Sequence, residues 1–320
     1  MERNPNPDEV SVAADTIRAG GLVAFPTETV YGLGADALNP EAVARIFEVK
    51  RRPRFDPLIV HVERPGVVER LVQKVSDRMA ALIEHFWPGP LTLVLPKSDL
   101  VPDIVTAGLP TVAVRMPDHP IALKLIELAR TPIAAPSANR FGRTSPTTAE
   151  HVAEQLGDEI ECIIDGGPCA VGVESTILSL AEERPRLLRH GGITLEALES
   201  VLGDIEDMRN FGGGITVAPG MLSRHYATRT PMRYFDDVGS SRGARVGLIS
   251  FVGERDDGSF AEVERLSESG DLCAAAAGLF AAMRRLDRAG LDMIVVERFP
   301  DHGLGRAINE RLRKSCAEFD

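Results

Sequence analysis

Residues able to do chemistry crowd between positions 23 and 62, VAFPTETVYGLGADALNPEAVARIFEVKRRPRFDPLIVHV. Three hydroxyl side chains, Thr27, Thr29 and Tyr31, precede two glycines, Gly32 and Gly34. A short helical segment follows, and then five cations stand within the ten positions 45–54: Arg45, Lys50, Arg51, Arg52 and Arg54. The whole chain carries a formal charge of −11, so this burst runs against its background. Cations beside a glycine turn suit a small polyanion, held on guanidinium groups and backbone N–H groups. A helix dipole accounts for one or two basic residues at a helix end, but not for arginines flanking Pro53 and Pro57. Pro53 confines Arg52 to extended backbone. A restrained guanidinium loses less entropy on clamping a carboxylate or phosphate, and Lys50 adds a mobile point charge. On the apolar run Leu58–Val62, alternation places Ile59 and His61 on one face. His61 is expected to touch a ligand there rather than serve only as a hydrogen-bonded core residue.

Other segments carry weaker signals. Ala134-Ala135-Pro136-Ser137-Ala138-Asn139 follows a short apolar strand, and its small residues would let a ligand approach the backbone. Ser137 and Asn139 would then donate hydrogen bonds. A nucleophilic Ser137 is the competing reading, but no G-x-S-x-G elbow supports it, and nothing requires Asp165 and His190 to complete a triad. Val173-Glu174-Ser175-Thr176 after Gly172 is a similar hydroxyl turn, of the kind Ser and Thr favour in any case. Arg115 and Arg189 interrupt apolar runs, and a buried arginine needs an anionic partner, either a structural carboxylate or a ligand. Gly32-x-Gly34-x-x-Ala37 loosely matches a dinucleotide fingerprint. Asn39-Pro40, however, starts the helix too late for those glycines to face pyrophosphate. No G-x-x-x-x-G-K-[ST] occurs, so ATP would be held without a P-loop.

The elements that must position these residues follow from periodicity and caps. Strands are expected at 21–25, 58–62, 91–95, 112–116, 133–135, 162–165, 176–180 and 186–189. Helices are expected at 8–19, 40–50, 76–85, 120–130, 147–155 and 195–202. Asn39 is a good N-cap before Pro40 at the first helical position. Thr194 is a weaker cap without a reciprocal acid. The alternation reads as α/β with a twisted, mixed sheet over residues 1–208. Residues 209–232 hold glycines, prolines and little periodicity, and read as a linker. A smaller α/β unit occupies 233–320, with strands at 245–251 and 293–298, an alanine-rich helix at 272–289 and a closing helix at 305–319.

Composition narrows the function classes. With 320 residues, 44% apolar and 26% charged, the chain suits an ordinary one- or two-domain enzyme. Aromatics at 5% disfavour an open base-stacking groove. The acidic balance disfavours an extended nucleic-acid face, though not a local basic cleft. Cys162, Cys169, Cys273 and Cys316 form no C-x-x-C pair, so reduced thiols in a cytoplasmic protein are expected. No apolar run is long enough to cross a bilayer, and no apolar signal region opens the chain.

Taken together, PTETVYGLGADA, KRRPRFDPLIVHV, FWPGPLTLVL, TVAVRMPDHP, APSANRFGRTSPTT, GVESTI and LLRHGGIT resemble the YrdC-like domain. APGMLSRHYA and GLGRAINERLRK are similar to the two-domain form of that family, the threonylcarbamoyl-AMP synthases. The resemblance covers nearly the whole chain and is loosest at 203–213 and 236–270. It implies a YrdC-like catalytic domain with a smaller Rossmann-like α/β domain. It also implies a nucleotidyltransferase reaction: L-threonine, bicarbonate or CO2, and ATP give threonylcarbamoyl-AMP and pyrophosphate. The product would feed a downstream tRNA threonylcarbamoyl transferase, with room for a weak tRNA contact. Mg2+ would accompany ATP, and no metal ligand is assigned to a protein side chain. By the resemblance Thr29, His61, Arg115 and Ser175 match threonine-binding positions. Arg52, Ser137, Asn139, Ser145, Arg189 and Tyr226 match nucleotide-binding ones. Lys50 and Arg52 would be catalytic, with Lys50 between carboxylate and phosphate. His225 and Tyr226 match a segment that folds over the site as a lid. The rival readings are an RNA-binding module without chemistry and a related enzyme with another carbamoyl source.

Overall fold

A computed structural model describes residues 7–208, 225–238 and 244–316. Most of the expected lid, 209–224, lies outside the described residues. The first ten strands are β1 (Val23–Phe25), β2 (Gly32–Asp36), β3 (Ile59–His61), β4 (Leu91–Pro96), β5 (Thr111–Arg115), β6 (Ile133–Ala134), β7 (Cys162–Ile163), β8 (Thr176–Ser179), β9 (Arg186–Arg189) and β10 (Glu206–Asp207). They form one mixed sheet in the order β10-β9-β8-β4-β5-β3-β6-β2-β1-β7. Four further strands, β11 (Met232–Tyr234), β12 (Val246–Ser250), β13 (Glu262–Arg265) and β14 (Met293–Val296), form a second sheet in the order β11-β14-β12-β13. Every pair in that sheet is parallel, as expected where crossover connections return each strand in the same sense.

The caps act as their residue types require. Asn39 Oδ1 accepts from the N–H groups of Glu41 and Ala42 and opens the helix Pro40–Lys50. Thr194 takes the Ala197 N–H and opens Leu195–Leu202. At the end of Pro40–Lys50, Arg51 adopts the left-handed conformation (φ 53°). That turn reverses the chain and sends Arg52 back towards the sheet.

One expectation is overturned. Gly32–Gly34 is not a phosphate-binding turn but part of β2, whose backbone pairs antiparallel with β1 and β6. Glycine is needed for packing instead. A Cβ on Gly34 would lie 2.7 Å from both the Phe25 ring and Ile133, so its absence seats Phe25 across the strand. Three further strands carry no strong sequence pattern and were not expected: β10, β13, and β11, which begins inside the stretch read as linker. Arg45 and Arg54 also stand away from any cleft. Arg45 pairs with Glu161 and the Gly20 carbonyl, and Arg54 is exposed.

The two units share apolar packing. Val30 and Val173 of the first unit join Tyr226 in the core built around Leu279, Phe280, Met283 and Ile308. Each such burial is worth at most ~1.5–3 kcal/mol. The approach is close: Gly172 has φ 73°, and a Cβ there would meet the Ala277 backbone at 2.4 Å. Gly172→Ala is therefore expected to cost at least ~1 kcal/mol through overpacking and backbone strain. Denaturant unfolding checks this, and an unchanged midpoint would refute the close fit.

Candidate active site

The register of the first sheet does most of the assembly. His61 at the end of β3 pairs with Arg115 at the end of β5, and Arg189 at the end of β9 pairs with Ile177 of β8. Ile59, Val94, Ala113 and Ile177 form a small apolar patch, separate from the main core. Around it, Arg52, His61, Arg115, Ser137, Ser175 and Arg189 line one cleft, together with Thr29, Glu174, His225 and Tyr226.

Each guanidinium in this cleft is braced by the protein. Arg52 Nη2 lies 2.8 Å from Asp56 Oδ2. Its Nε donates to the Asp56 carbonyl and its Nη2 to that of Pro57. Arg115 Nη2 lies 2.6 Å from Glu28 Oε1, and its Nη1 donates to Thr29 Oγ1 at 2.9 Å. Thr29 Oγ1 is 2.8 Å from Thr27 Oγ1. Arg189 Nε donates to the Ser175 carbonyl and its Nη2 to Ser175 Oγ, which also meets Thr92 Oγ1 at 2.8 Å. Burial depresses the pKa of Arg52 and Arg189 below the ordinary guanidinium value, and a guanidinium stays charged near neutral pH.

Other expected residues sit differently. Lys50 does not line the cleft. It is 1% exposed, and its ammonium donates to the Ser137 and Asn139 carbonyls. Burial, and then the neighbouring Arg52, hold its pKa well below that of an ordinary lysine. Asn139 Nδ2 donates to the carbonyls of Arg140 and Arg143, so both residues shape the 137–145 loop from behind. Ser145 Oγ donates to Glu174 Oε1 at 2.6 Å. The rejected triad is scattered: Asp165 caps the Gly167 N–H, and His190 Nε2 faces Asp207 at 3.2 Å. Ser137 therefore has no His–Asp relay from these groups.

His61 and His225 are buried imidazoles whose Nδ1 atoms find no hydrogen-bond partner among the described residues. Burial pushes both down to about 3, so both are neutral near pH 7. Phe25 meets the His61 ring edge-on at 6.2 Å. His225 packs on Tyr226 at 4.1 Å, and Tyr226 stacks on Phe280 at 5.3 Å. Tyr226 holds a φ of 66°, which lays the pair against the cleft. Burial would raise the Glu174 carboxyl, but Arg311, Arg189 and the Ser145 hydroxyl outweigh it and hold it at about 2.

The braces are what sequence reasoning missed. Asp56 stands four residues after Arg52 and Glu28 inside PTETVY, so local signals existed. The approach of Arg311 to Glu174 has no local signal, because 137 positions separate them.

Fold and cleft together define an α/β domain with a cation-lined cleft, packed against a second α/β unit. A family model labelled Sua5_yciO_yrdC and described as "Telomere recombination" matches residues 15–191. A model described as the C-terminal domain of threonylcarbamoyl-AMP synthase matches 193–317. The threonylcarbamoyl-AMP synthase of Pyrococcus abyssi is 47% identical, over 96% of this chain and 94% of its own length. That of Bacillus subtilis is 44% identical, over 98% and 95%. The crystal structure of P. abyssi Sua5 complexed with L-threonine superposes with a TM-score of 0.91 at 46% identity, over 98% of this chain and 96% of that one. The chain belongs to the threonylcarbamoyl-AMP synthase family.

The neutral histidines make stability acid-sensitive. Folded His61 and His225 stay neutral down to about 3, whereas in the unfolded chain they protonate below 6.5. The unfolded state then binds more protons, so stability is full above 6.5 and falls as pH drops towards 3. The slope is at most ~1.4 kcal/mol per pH unit for each histidine. Below 4.5, protonation opposed by the depressed Glu174 adds a further loss. Denaturant unfolding of His225→Gln between pH 5 and 7 should show a flatter slope than the wild type; an identical slope would contradict a neutral buried His225.

Proposed function

We propose that this chain is an L-threonylcarbamoyladenylate synthase, a nucleotidyl transfer enzyme. It would convert L-threonine, bicarbonate or CO2, and ATP into threonylcarbamoyl-AMP and pyrophosphate. The observation that carries the reading is the convergence of Arg52, Arg115 and Arg189 with the hydroxyls of Thr29, Ser137 and Ser175 on one cleft. This arrangement suits two anionic substrates bound side by side. Full-length identity to the P. abyssi and B. subtilis synthases supports it.

In this reading Arg115 grips the threonine carboxylate, with Thr29, His61 and Ser175 around it. Neutral His61 can exchange a hydrogen bond with the threonine hydroxyl. Arg52, Ser137, Ser145 and Arg189 take the nucleotide. Lys50 and Asn139 set the loop that carries Ser137 and Ser145. The threonine amine adds to CO2 and loses a proton, giving a carbamate. A carbamate oxygen then forms a bond to the α-phosphorus as the bond to pyrophosphate breaks. No side chain has to act as nucleophile, so the enzyme contributes placement and charge stabilisation. His225 and Tyr226 shelter the carbamate and the mixed anhydride from water.

Magnesium is expected with ATP. Among the described residues no group of three or more His, Cys, Asp and Glu side chains could hold a metal ion. Glu28, Asp56 and Glu174 are engaged by guanidiniums. In this reading magnesium would be carried by the phosphates. Use of the product by a separate tRNA-modifying transferase, weak contact with tRNA and a cytoplasmic location all belong to this proposal. Among the described residues no helix is long and apolar enough to cross a membrane.

Pyrophosphate release is expected to require ATP, bicarbonate and threonine together; release that ignores threonine would refute the reading. Arg52→Ala should lower threonine-dependent release at least about tenfold, the size of a lost charge-assisted contact. Wild-type activity in that variant would make the basic loop purely structural.

A further inference from the structure

One helix of the second unit grips the segments that border the cleft. Arg311 lies on the helix Leu304–Ser315 and is fully buried. Its Nε and Nη2 each lie 3.0 Å from Glu174 Oε2. Its Nη1 donates to the His190 carbonyl. Its guanidinium carbon stands 5.9 Å from the centre of the Tyr226 ring. These partners belong to three separate segments that border the cleft: Glu174 next to Ser175, His190 next to Arg189, and Tyr226 next to His225. The other Glu174 oxygen takes the Ser145 hydroxyl, so a fourth segment is tied to the same pair. The neighbouring turns of that helix add to the grip. Ser315 Oγ donates to the Tyr226 carbonyl at 3.2 Å, and Glu310 Oε2 accepts the His190 N–H at 3.0 Å.

We propose that Arg311 is a positioning residue: through it the second unit sets the spacing of Ser145, Ser175, Arg189 and the His225–Tyr226 pair around both substrates. Arg311 lines no part of the cleft and acts only through its partners. A lysine at this place keeps the charge, but its single ammonium cannot reach Glu174, the His190 carbonyl and the Tyr226 face together. The assignment of substrates rests on the function proposed above, whereas the bolting of the four segments does not.

The test uses the full chain. Arg311→Lys and the double variant Arg311→Met/Glu174→Gln are compared with Arg311→Met alone. Arg311→Met leaves Glu174 buried without its guanidinium partner and is expected to be strongly destabilised, whereas the double variant removes both charges and keeps an acceptor for Ser145. The double variant is expected to recover most of the melting temperature lost by Arg311→Met. Its KM for ATP and for threonine should nevertheless stay raised, with kcat/KM about ten- to a hundredfold below wild type. Hydrogen exchange without substrates should be faster at 174–176, 189–191 and 225–227 in both Arg311→Lys and the double variant. If melting temperature and both KM values return together, Arg311 is only a structural ion pair and the proposal falls. Unchanged exchange at those segments overturns it even if the proposed reaction is wrong. Wild-type protein without threonine-dependent turnover would sink the function alone.

Discussion

Positive charge removed from water is the constraint on which the rest of this structure depends. Lys50, Arg52, Arg115, Arg189 and Arg311 are all 7% exposed or less. An unpaired buried charge costs several kcal/mol, so each must be stabilised before any substrate arrives. Asp56 does this for Arg52, Glu28 for Arg115 and Glu174 for Arg311, while Lys50 is served by two backbone carbonyls. The braces hold the guanidiniums from behind and leave the cleft side lined by cations and hydroxyls. Such a site is organised in advance and loses little on closing around an anion.

The same constraint explains why two folding units are needed. The single mixed sheet supplies His61, Arg115, Ser175 and Arg189 from strand ends, but it does not supply the counter-charge of Glu174. That comes from Arg311, 137 positions away along the chain. Val30 and Val173, which flank Thr29 and Glu174, are covered by the second core rather than the first. Gly172 permits the contact because no Cβ intervenes. Packing and electrostatics therefore point to one arrangement of the two units, and the cleft is incomplete without the second.

Much of this was legible from the residues. Periodicity located most strands and helices of the first unit, and caps marked where helices begin. Charged residues inside apolar runs pointed to Arg115 and Arg189, and strand alternation put Ile59 and His61 on one face. What failed was local reasoning applied to non-local causes. Gly32 and Gly34 look like a turn because glycine frees the backbone, yet they are glycine because Phe25 lies across β2. The short strand Met232–Tyr234 pairs with a strand far along the chain, and Glu262–Arg265 is an edge strand with exposed ends, so its own pattern is weak. Lys50 reads as a free cation, but its placement against the Ser137 and Asn139 carbonyls depends on a loop almost ninety positions on.

The choice of cation suits the chemistry proposed for this cleft. An amine captures carbon dioxide only as the free base, so a threonine amine reacts best where it has shed its proton. Groups that titrate in the same range would alter the field of the site just as the amine becomes reactive. Guanidiniums do not, since they stay charged across that range. Burial pushes the two imidazoles that line the cleft down to about 3, so they too keep one charge state near neutral pH. Lys50, whose pKa is depressed by burial and by Arg52, is kept apart from these groups. It stands outside the cleft wall, where its two carbonyl partners fix the loop carrying Ser137. The site thus keeps its anion-binding field apart from the proton transfers of the reaction, and the braces that stop the arginines from relaxing keep that field in place.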